Sequence, residues 1–87
     1  MKKLNNIQLL ELSNFLNKME QLPNFDINQD VIIYYDENNN FLALEGLKQS
    51  WGWALTDTDV SKINPNNSMT INYSMVRLFM ALDTPNN

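Results

Sequence analysis

The chain has 87 residues, a formal net charge of −4, and neither histidine nor cysteine. The missing imidazoles and thiolates are the usual general bases, nucleophiles and zinc ligands, so we predict no catalytic residue, no metal site and no cofactor, and expect no enzyme activity. An apolar share of 44% at this length is typical of one small globular domain over residues 1–87.

The first predicted element is a helix that begins near Asn6. Asn5 and Gln8 have the spacing of a capping box, in which each side chain accepts the backbone N–H of the other residue. Apolar residues then recur at helical spacing as far as Leu22, and Pro23 ends the pattern. The sequence therefore predicts an N-terminal helix with one apolar face.

The pattern then changes to that of β-structure. Residues 31–35 form a β-branched and aromatic run, residues 36–40 are polar, and residues 41–45 are mostly apolar again. This order predicts two antiparallel strands joined by a polar hairpin loop.

The same loop carries a partial match to an EF-hand calcium site. Asp36, Asn38 and Asn40 have the spacing of the first three ligands. However, Phe41 stands where that loop needs glycine, and Leu47 stands where it needs glutamate. We therefore interpret the segment as a hairpin loop and not as a metal site.

A third strand is predicted at Trp51-Gly52-Trp53-Ala54-Leu55, with both tryptophans on one face. Tryptophan is common at binding hot spots, so this pair is either a partner-binding surface or, as the small size of the domain favours, part of the core. After this strand, Asp57 and Asp59 are expected to cap a short helical turn.

The last predicted element is a helix from about Met69 to Leu82, followed by a frayed tail at residues 83–87. One apolar face of this helix would pack on the sheet. A second apolar face would lie beside it, formed by Met69, Tyr73, Val76 and Met80. That second face is either wedged between two layers or open to a partner.

Together these elements predict an α+β fold. A small antiparallel sheet of two or three strands would be packed against the N-terminal and C-terminal helices, in the order α-β-β-(β)-α. Double-stranded-RNA-binding domains have a similar order, but their last helix opens with phosphate-binding lysines that this chain lacks, so direct nucleic-acid binding is not expected. In size, charge and order of elements, the chain also resembles small acidic phage proteins that occupy the nucleic-acid grooves of bacterial defence enzymes.

Acidic residues are concentrated in the middle of the chain. Residues 26–59 contain seven carboxylates and one lysine, a local charge of −6. Such a segment repels nucleic acid and anionic membranes and attracts basic partners, or it serves only to keep the domain soluble. The acidic residues expected to contact a partner are Asp36, Glu37, Asp57 and Asp59.

From these features we expect a non-enzymatic, cytoplasmic protein-binding module, because the start of the chain lacks the apolar core of a signal peptide and no apolar run can span a bilayer. It would be a small acidic inhibitor or accessory protein of a phage or mobile element that blocks a basic, nucleic-acid-binding surface of a host defence enzyme. The alternative is a structural subunit or homo-oligomer, for example a homodimer, that assembles through the apolar C-terminal helix. The apolar residues expected at a partner or oligomer interface are Met69, Tyr73, Val76, Met80, Trp51 and Trp53.

Overall fold

The computed structural model describes residues 4–81. Its elements are α1 (Asn6–Glu20), β1 (Asp30–Tyr35), β2 (Phe41–Gly46), β3 (Gly52–Ala54), β4 (Ser68–Asn72) and α2 (Val76–Ala81), with short 3-10 helices at Val60–Lys62 and Tyr73–Met75. The predicted α+β class is confirmed, with a four-stranded antiparallel sheet between an N-terminal and a C-terminal helix in the chain. Leu82 and the predicted tail at residues 83–87 lie outside the described residues.

Helix α1 begins where the sequence predicts. The Asn5 side chain accepts the Gln8 N–H at 2.9 Å, and the Gln8 side chain accepts the Asn5 N–H at 3.0 Å, which completes the capping box. Leu12 and Leu16 on the inner face of the helix are buried. Leu22 lies beyond the end of α1 and is exposed.

The sheet has the strand order β3-β2-β1-β4, so the predicted β1–β2 hairpin forms its centre. Ile33 pairs with Leu44 on one side and with Met69 on the other. The register of the hairpin shifts between Tyr34 and Tyr35, next to the loop, as it does at a β-bulge.

The prediction of a helix from Met69 is wrong, because residues 68–72 form the edge strand β4, which pairs antiparallel with β1. Polar and apolar side chains alternate along these residues, which is the two-residue period of a strand. Helical structure begins only after Asn72, whose side chain accepts the N–H of Ser74 at 3.0 Å and so caps the 3-10 helix that leads into α2.

The fourth strand also changes the two comparisons based on the order of elements. Helix, three strands and helix was the order shared with double-stranded-RNA-binding domains and with the acidic phage inhibitors. This chain places a further strand before its last helix. The similarity in order of elements therefore does not hold, and what is left of the comparison with phage inhibitors is size and acidity.

The core lies between one face of the sheet and the two helices. Its completely or almost completely buried side chains are Leu12, Leu16, Val31, Ile33, Phe41, Leu44, Val76 and Met80. The backbone N–H of Leu4 donates to the carbonyl of Met80 at 3.1 Å, which joins the start of α1 to the end of α2. On the other face of the sheet, the Tyr34 hydroxyl donates to the Glu45 carboxylate.

Candidate acidic binding surface

The four acidic residues predicted to bind a partner lie at one end of the molecule. Two of them belong to the β1–β2 loop and two to the segment between β3 and β4. Each pair borders a groove, and the two grooves share Leu42 and Lys62 as lining residues. The pairs are Asp36 with Glu37 at one groove, and Asp57 with Asp59 at the other.

A fifth carboxylate, Glu11 of α1, lines the second groove and accepts a hydrogen bond from the Thr56 hydroxyl at 3.2 Å. The sequence did not indicate Glu11, because it is far along the chain from the acidic loops. We define the acidic end as Glu11, Asp36, Glu37, Asp57, Asp59 and Lys62. It holds five carboxylates and one lysine, a formal charge of −4, whereas the rest of residues 4–81 hold four carboxylates and three cations.

Asp36 organises the hairpin loop. Its Oδ1 accepts the backbone N–H groups of Asn38 and Asn40, both at 2.9 Å, and its Oδ2 accepts the Asn40 side-chain amide at 3.0 Å. Asn39 has a φ of 67°, in the left-handed region that asparagine tolerates better than most residues. The hairpin interpretation of this segment is therefore confirmed, with the Asp36 carboxylate holding the turn.

The other acidic residues of the loops differ in their contacts. Asp59 Oδ1 accepts the N–H of Ser61 at 3.1 Å and its hydroxyl at 2.6 Å, so the predicted capping role is confirmed for Asp59. Its Oδ2 lies 3.9 Å from the Lys62 Nζ. Among the residues that the structure describes, the carboxylates of Glu37 and Asp57 have no hydrogen-bonding or ionic partner. These two charges are available to a partner without the loss of an internal contact.

Both tryptophans contribute to the core, as the small size of the domain favoured. The ring centroids of Trp51 and Trp53 each lie 5.9 Å from that of Phe15 on α1, and Trp53 also stacks on Phe41 at 6.2 Å. Each ring is half-buried against the central cluster. Their positions are therefore explained by packing, without a partner.

The predicted second apolar face of the last helix is not present. Met69 belongs to β4, and Tyr73, Val76 and Met80 are buried in the core. The reason is that α2 starts later than predicted and packs this side of the chain against α1 and the sheet. Three of the four side chains therefore lie inside the domain, whereas Met69 is partly exposed on β4.

Charged groups are paired at the other end of the molecule, where α1 ends and α2 begins. The Glu20 carboxylate accepts hydrogen bonds from Arg77 Nη1 at 2.6 Å and from the Tyr73 hydroxyl at 2.5 Å. Lys48 Nζ lies 3.0 Å from Asp26 Oδ2. We define the paired end as Glu20, Asp26, Gln29, Lys48, Gln49, Tyr73 and Arg77.

These contacts shift the pKa values at the paired end. Partial burial alone would raise the pKa of Glu20, but the hydrogen bonds from Tyr73 and Arg77 and the guanidinium charge outweigh it and hold that pKa below its usual value. Burial and the hydrogen bond to Glu20 raise the pKa of Tyr73. The hydrogen bond from Lys48 lowers the pKa of Asp26. Glu20 and Tyr73 are thus held as a carboxylate and a neutral phenol.

A buried glutamine completes the paired end. The Gln29 amide donates to the Asp26 carbonyl and to the Gln49 side-chain oxygen, both at 2.8 Å, and its oxygen accepts the Trp51 indole N–H at 3.1 Å. Gly46 lies beside this network, and a Cβ there would collide with the Gln49 carbonyl and the Trp51 ring. The network therefore ties the segment before β1 to the turn between β2 and β3.

No protein-family model matches this sequence, and neither a curated protein nor a solved structure matches it at a significant level. Within residues 4–81, no helix is both long and apolar enough to cross a membrane. In the same part of the chain, no group of three or more acidic side chains is arranged to hold a metal ion. The chemistry of the acidic end is the feature that points to a function.

Proposed function

We propose that this protein is a non-enzymatic protein-binding module whose acidic end occupies a basic, nucleic-acid-binding surface of a partner protein. The observation that supports this proposal is that five carboxylates and only one lysine line the two grooves at one end of the described part of the chain. A surface of one charge sign attracts and orients a partner of the opposite sign, and this accelerates association.

The placement of the charges favours binding over a purely solubilising role. Solubility depends mainly on net charge and on the absence of apolar patches, and does not require carboxylates to be grouped. Grouped carboxylates repel one another, and the lysines and arginines of a partner relieve that repulsion. Glu37 and Asp57 are the strongest candidates for such contacts, because they have no partner within the described residues.

A surface that binds nucleic acid is a suitable partner, because its lysines and arginines are arranged to neutralise successive phosphates. Carboxylates of the acidic end would compete for the same cations. We propose a nucleic-acid-processing enzyme of host defence as the partner and a phage or mobile element as the source, supported by the small size and the acidity of the chain. Because the carboxylates are at the surface, we expect binding to weaken as salt is added.

The test compares two double variants with the same change in charge. Glu37→Gln with Asp57→Asn removes two charges from the acidic end, whereas Asp30→Asn with Glu45→Gln removes two charges elsewhere. All four substitutions keep the side-chain size, and glutamine at position 45 can still accept the Tyr34 hydroxyl. Tagged wild-type protein and both variants are used to capture proteins from a host lysate at low and high salt, and each captured protein is challenged with DNA and RNA.

We expect the wild type and the control variant to capture the same basic protein at low salt, and the acidic-end variant to capture about tenfold less. High salt and nucleic acid should each release that protein. Equal capture by both double variants, or a captured protein that nucleic acid does not displace, would contradict the proposal. The absence of any captured protein at either salt would also count against it.

A further inference from the structure

The larger groove at the acidic end lies between the first half of α1 and the segment that follows β3, and its volume is about 680 Å³. Buried Leu4 and Phe41 line its base. Ile7 on the helix side and Ile63 on the other side add apolar surface to its walls. This volume is within the range of about 300 to 1,000 Å³ that is usual for ligand sites, and it accommodates several side chains of a bound segment.

Ile7 is the most informative residue of this groove. Its side chain is 72% exposed in the first turn of α1, although it borders a depression with an apolar base. A single exposed isoleucine on an open surface would be unremarkable. Here the exposed side chain extends the apolar surface of the groove onto α1, so a partner could bury both together.

The charged residues of the groove define what could occupy it. Glu11 lies on the α1 side, Asp57 and Asp59 lie on the opposite side, and Lys62 is the one cation among the described lining residues. A nucleic acid would be repelled by this rim. A peptide segment that carries apolar side chains between lysines or arginines would match both the base and the rim.

We infer that this groove binds an amphipathic basic segment of the partner, with apolar side chains against Ile7 and Ile63 and with cations at Glu11 and Asp57. The inference rests on the proposed function and adds to it the docking site and the requirement for apolar contact. Burial of the apolar side chains would add a salt-independent share of the affinity, while the carboxylates supply the larger, salt-dependent attraction and orient the segment.

The probes are two synthetic peptides of equal length and equal charge. In one peptide, leucines and lysines lie on opposite faces of a helix, and in the other each leucine is replaced by serine. Binding is measured by calorimetry, and the site is located from the amide chemical-shift changes of the labelled protein. The protein variants are Ile7→Ala and, as a matched control, Leu10→Ala, which is also exposed on α1 but does not line the groove.

We expect the leucine-containing peptide to bind at least about tenfold more tightly than the serine-containing peptide. Ile7→Ala should remove most of that difference, and Leu10→Ala should leave it unchanged. Both positions are exposed and alanine is a strong helix former, so circular dichroism should show an intact α1 in each variant. The chemical-shift changes should be centred on the groove.

Equal binding of the two peptides, or equal effects of the two alanine variants, would overturn the inference. If the peptides bind equally and Glu37→Gln with Asp57→Asn weakens both, the acidic end still binds cations and only the docking site is wrong. If neither peptide binds and the acidic-end variant also captures as much partner as the control variant, the proposed function fails together with the inference.

Discussion

At the paired end, the Glu20 carboxylate receives two hydrogen bonds and Asp26 is in contact with an ammonium group. At the acidic end, the carboxylates of Glu37 and Asp57 have no such partner in the described part of the chain. Carboxylates therefore lie in two different settings in one small domain. Charges that are neutralised internally hold elements together, and charges left without a partner are available to another molecule.

The two ends also differ in the reach of their contacts. At the paired end, hydrogen bonds join α1 to α2 and the segment before β1 to the turn after β2. At the acidic end, the hydrogen bonds from Asn38 and Asn40 to Asp36 and from Ser61 to Asp59 lie within single loops, and the hydrogen bond from Thr56 to Glu11 is the longer-range one. We therefore expect substitutions to affect stability at the paired end, and binding at the acidic end.

The largest expected effect is at Gln29, where Gln29→Leu would break the network of the paired end. The Trp51 N–H would lose its acceptor, and both donor contacts of the Gln29 amide would be lost. Because an unsatisfied donor and lost buried hydrogen bonds are costly, we expect a decrease of about 2 kcal/mol in the free energy of unfolding, measured with urea. The control Gln21→Leu, at an exposed position, should change it by less than about 0.5 kcal/mol. Similar losses in the two variants would show that the network is not important.

The next effect concerns the pair of Glu20 and Arg77. Arg77→Gln should lower the free energy of unfolding at neutral pH by about 1 kcal/mol, because the pair is only partly shielded from solvent. Since the pKa of Glu20 is lower in the folded chain, its contribution is present above the ordinary carboxyl pKa and is lost as the pH falls through the folded value.

Urea unfolding from neutral to acidic pH should therefore give a flatter pH dependence for Arg77→Gln than for the wild type. Lys18→Gln removes a charge from the last turn of α1, the helix that carries Glu20, and serves as the control. If Lys18→Gln flattens the curve to the same extent, net charge and not the Glu20 contact controls the acid response.

A smaller effect, of opposite sign, is expected at the acidic end. The double variant Glu37→Gln with Asp57→Asn should change the free energy of unfolding by no more than about 0.5 kcal/mol. At low salt, the double variant should be slightly more stable than the wild type, because like-charge repulsion is reduced. The double variant Asp30→Asn with Glu45→Gln is the matched comparison. A loss above about 1 kcal/mol in the acidic-end variant would show that these charges stabilise the fold, and the contrast between the two ends would then be lost.

The smallest effect lies on the open face of the sheet. The hydrogen bond to Glu45, together with burial, raises the pKa of Tyr34 to about 12. The contribution of the neutral Tyr34 hydroxyl to stability is present below the ordinary tyrosine pKa and is lost as the pH rises through about 12.

In an alkaline titration followed by tyrosinate absorbance, Tyr34→Phe should remove the step near pH 12. Glu45→Gln should move that step to lower pH, because a neutral amide accepts the hydroxyl less strongly than a carboxylate and removes the negative charge. An unchanged step in Glu45→Gln would show that burial alone causes the shift.

Local signals predicted the parts of the fold that depend on local contacts. The capping box at Asn5 and the β-branched run at residues 31–35 each act within a few residues, and both gave the correct element. Residues 68–72 were assigned to the wrong element because their strand conformation depends on pairing with β1, about 40 residues earlier in the chain. The fourth strand could be expected only from the alternation of residues 68–72, which is too short to exclude a helix.

The candidate site was predictable to a similar degree. Acidic composition indicated the loops with Asp36 and Asp57, but only the tertiary structure shows that the loops share one end of the molecule and that Glu11 joins them. The apolar pattern of the last helix suggested a surface, whereas Val76 and Met80 are buried. Whether an apolar side chain faces a partner or the core is set by where the helix starts, and β4 determines that start.

The backbone hydrogen bond between Leu4 and Met80 makes the domain suitable for circular permutation. Because the two positions are adjacent in space, a short linker could join Met80 to Leu4 in a chain limited to residues 4–80, and this chain could be reopened between Leu22 and Pro23, where both residues are exposed. Leu4 also lines the larger groove, so a label attached directly before Leu4 would lie beside that groove. A permuted chain would carry its label at the paired end and leave the acidic end uncovered for assays on a sensor surface.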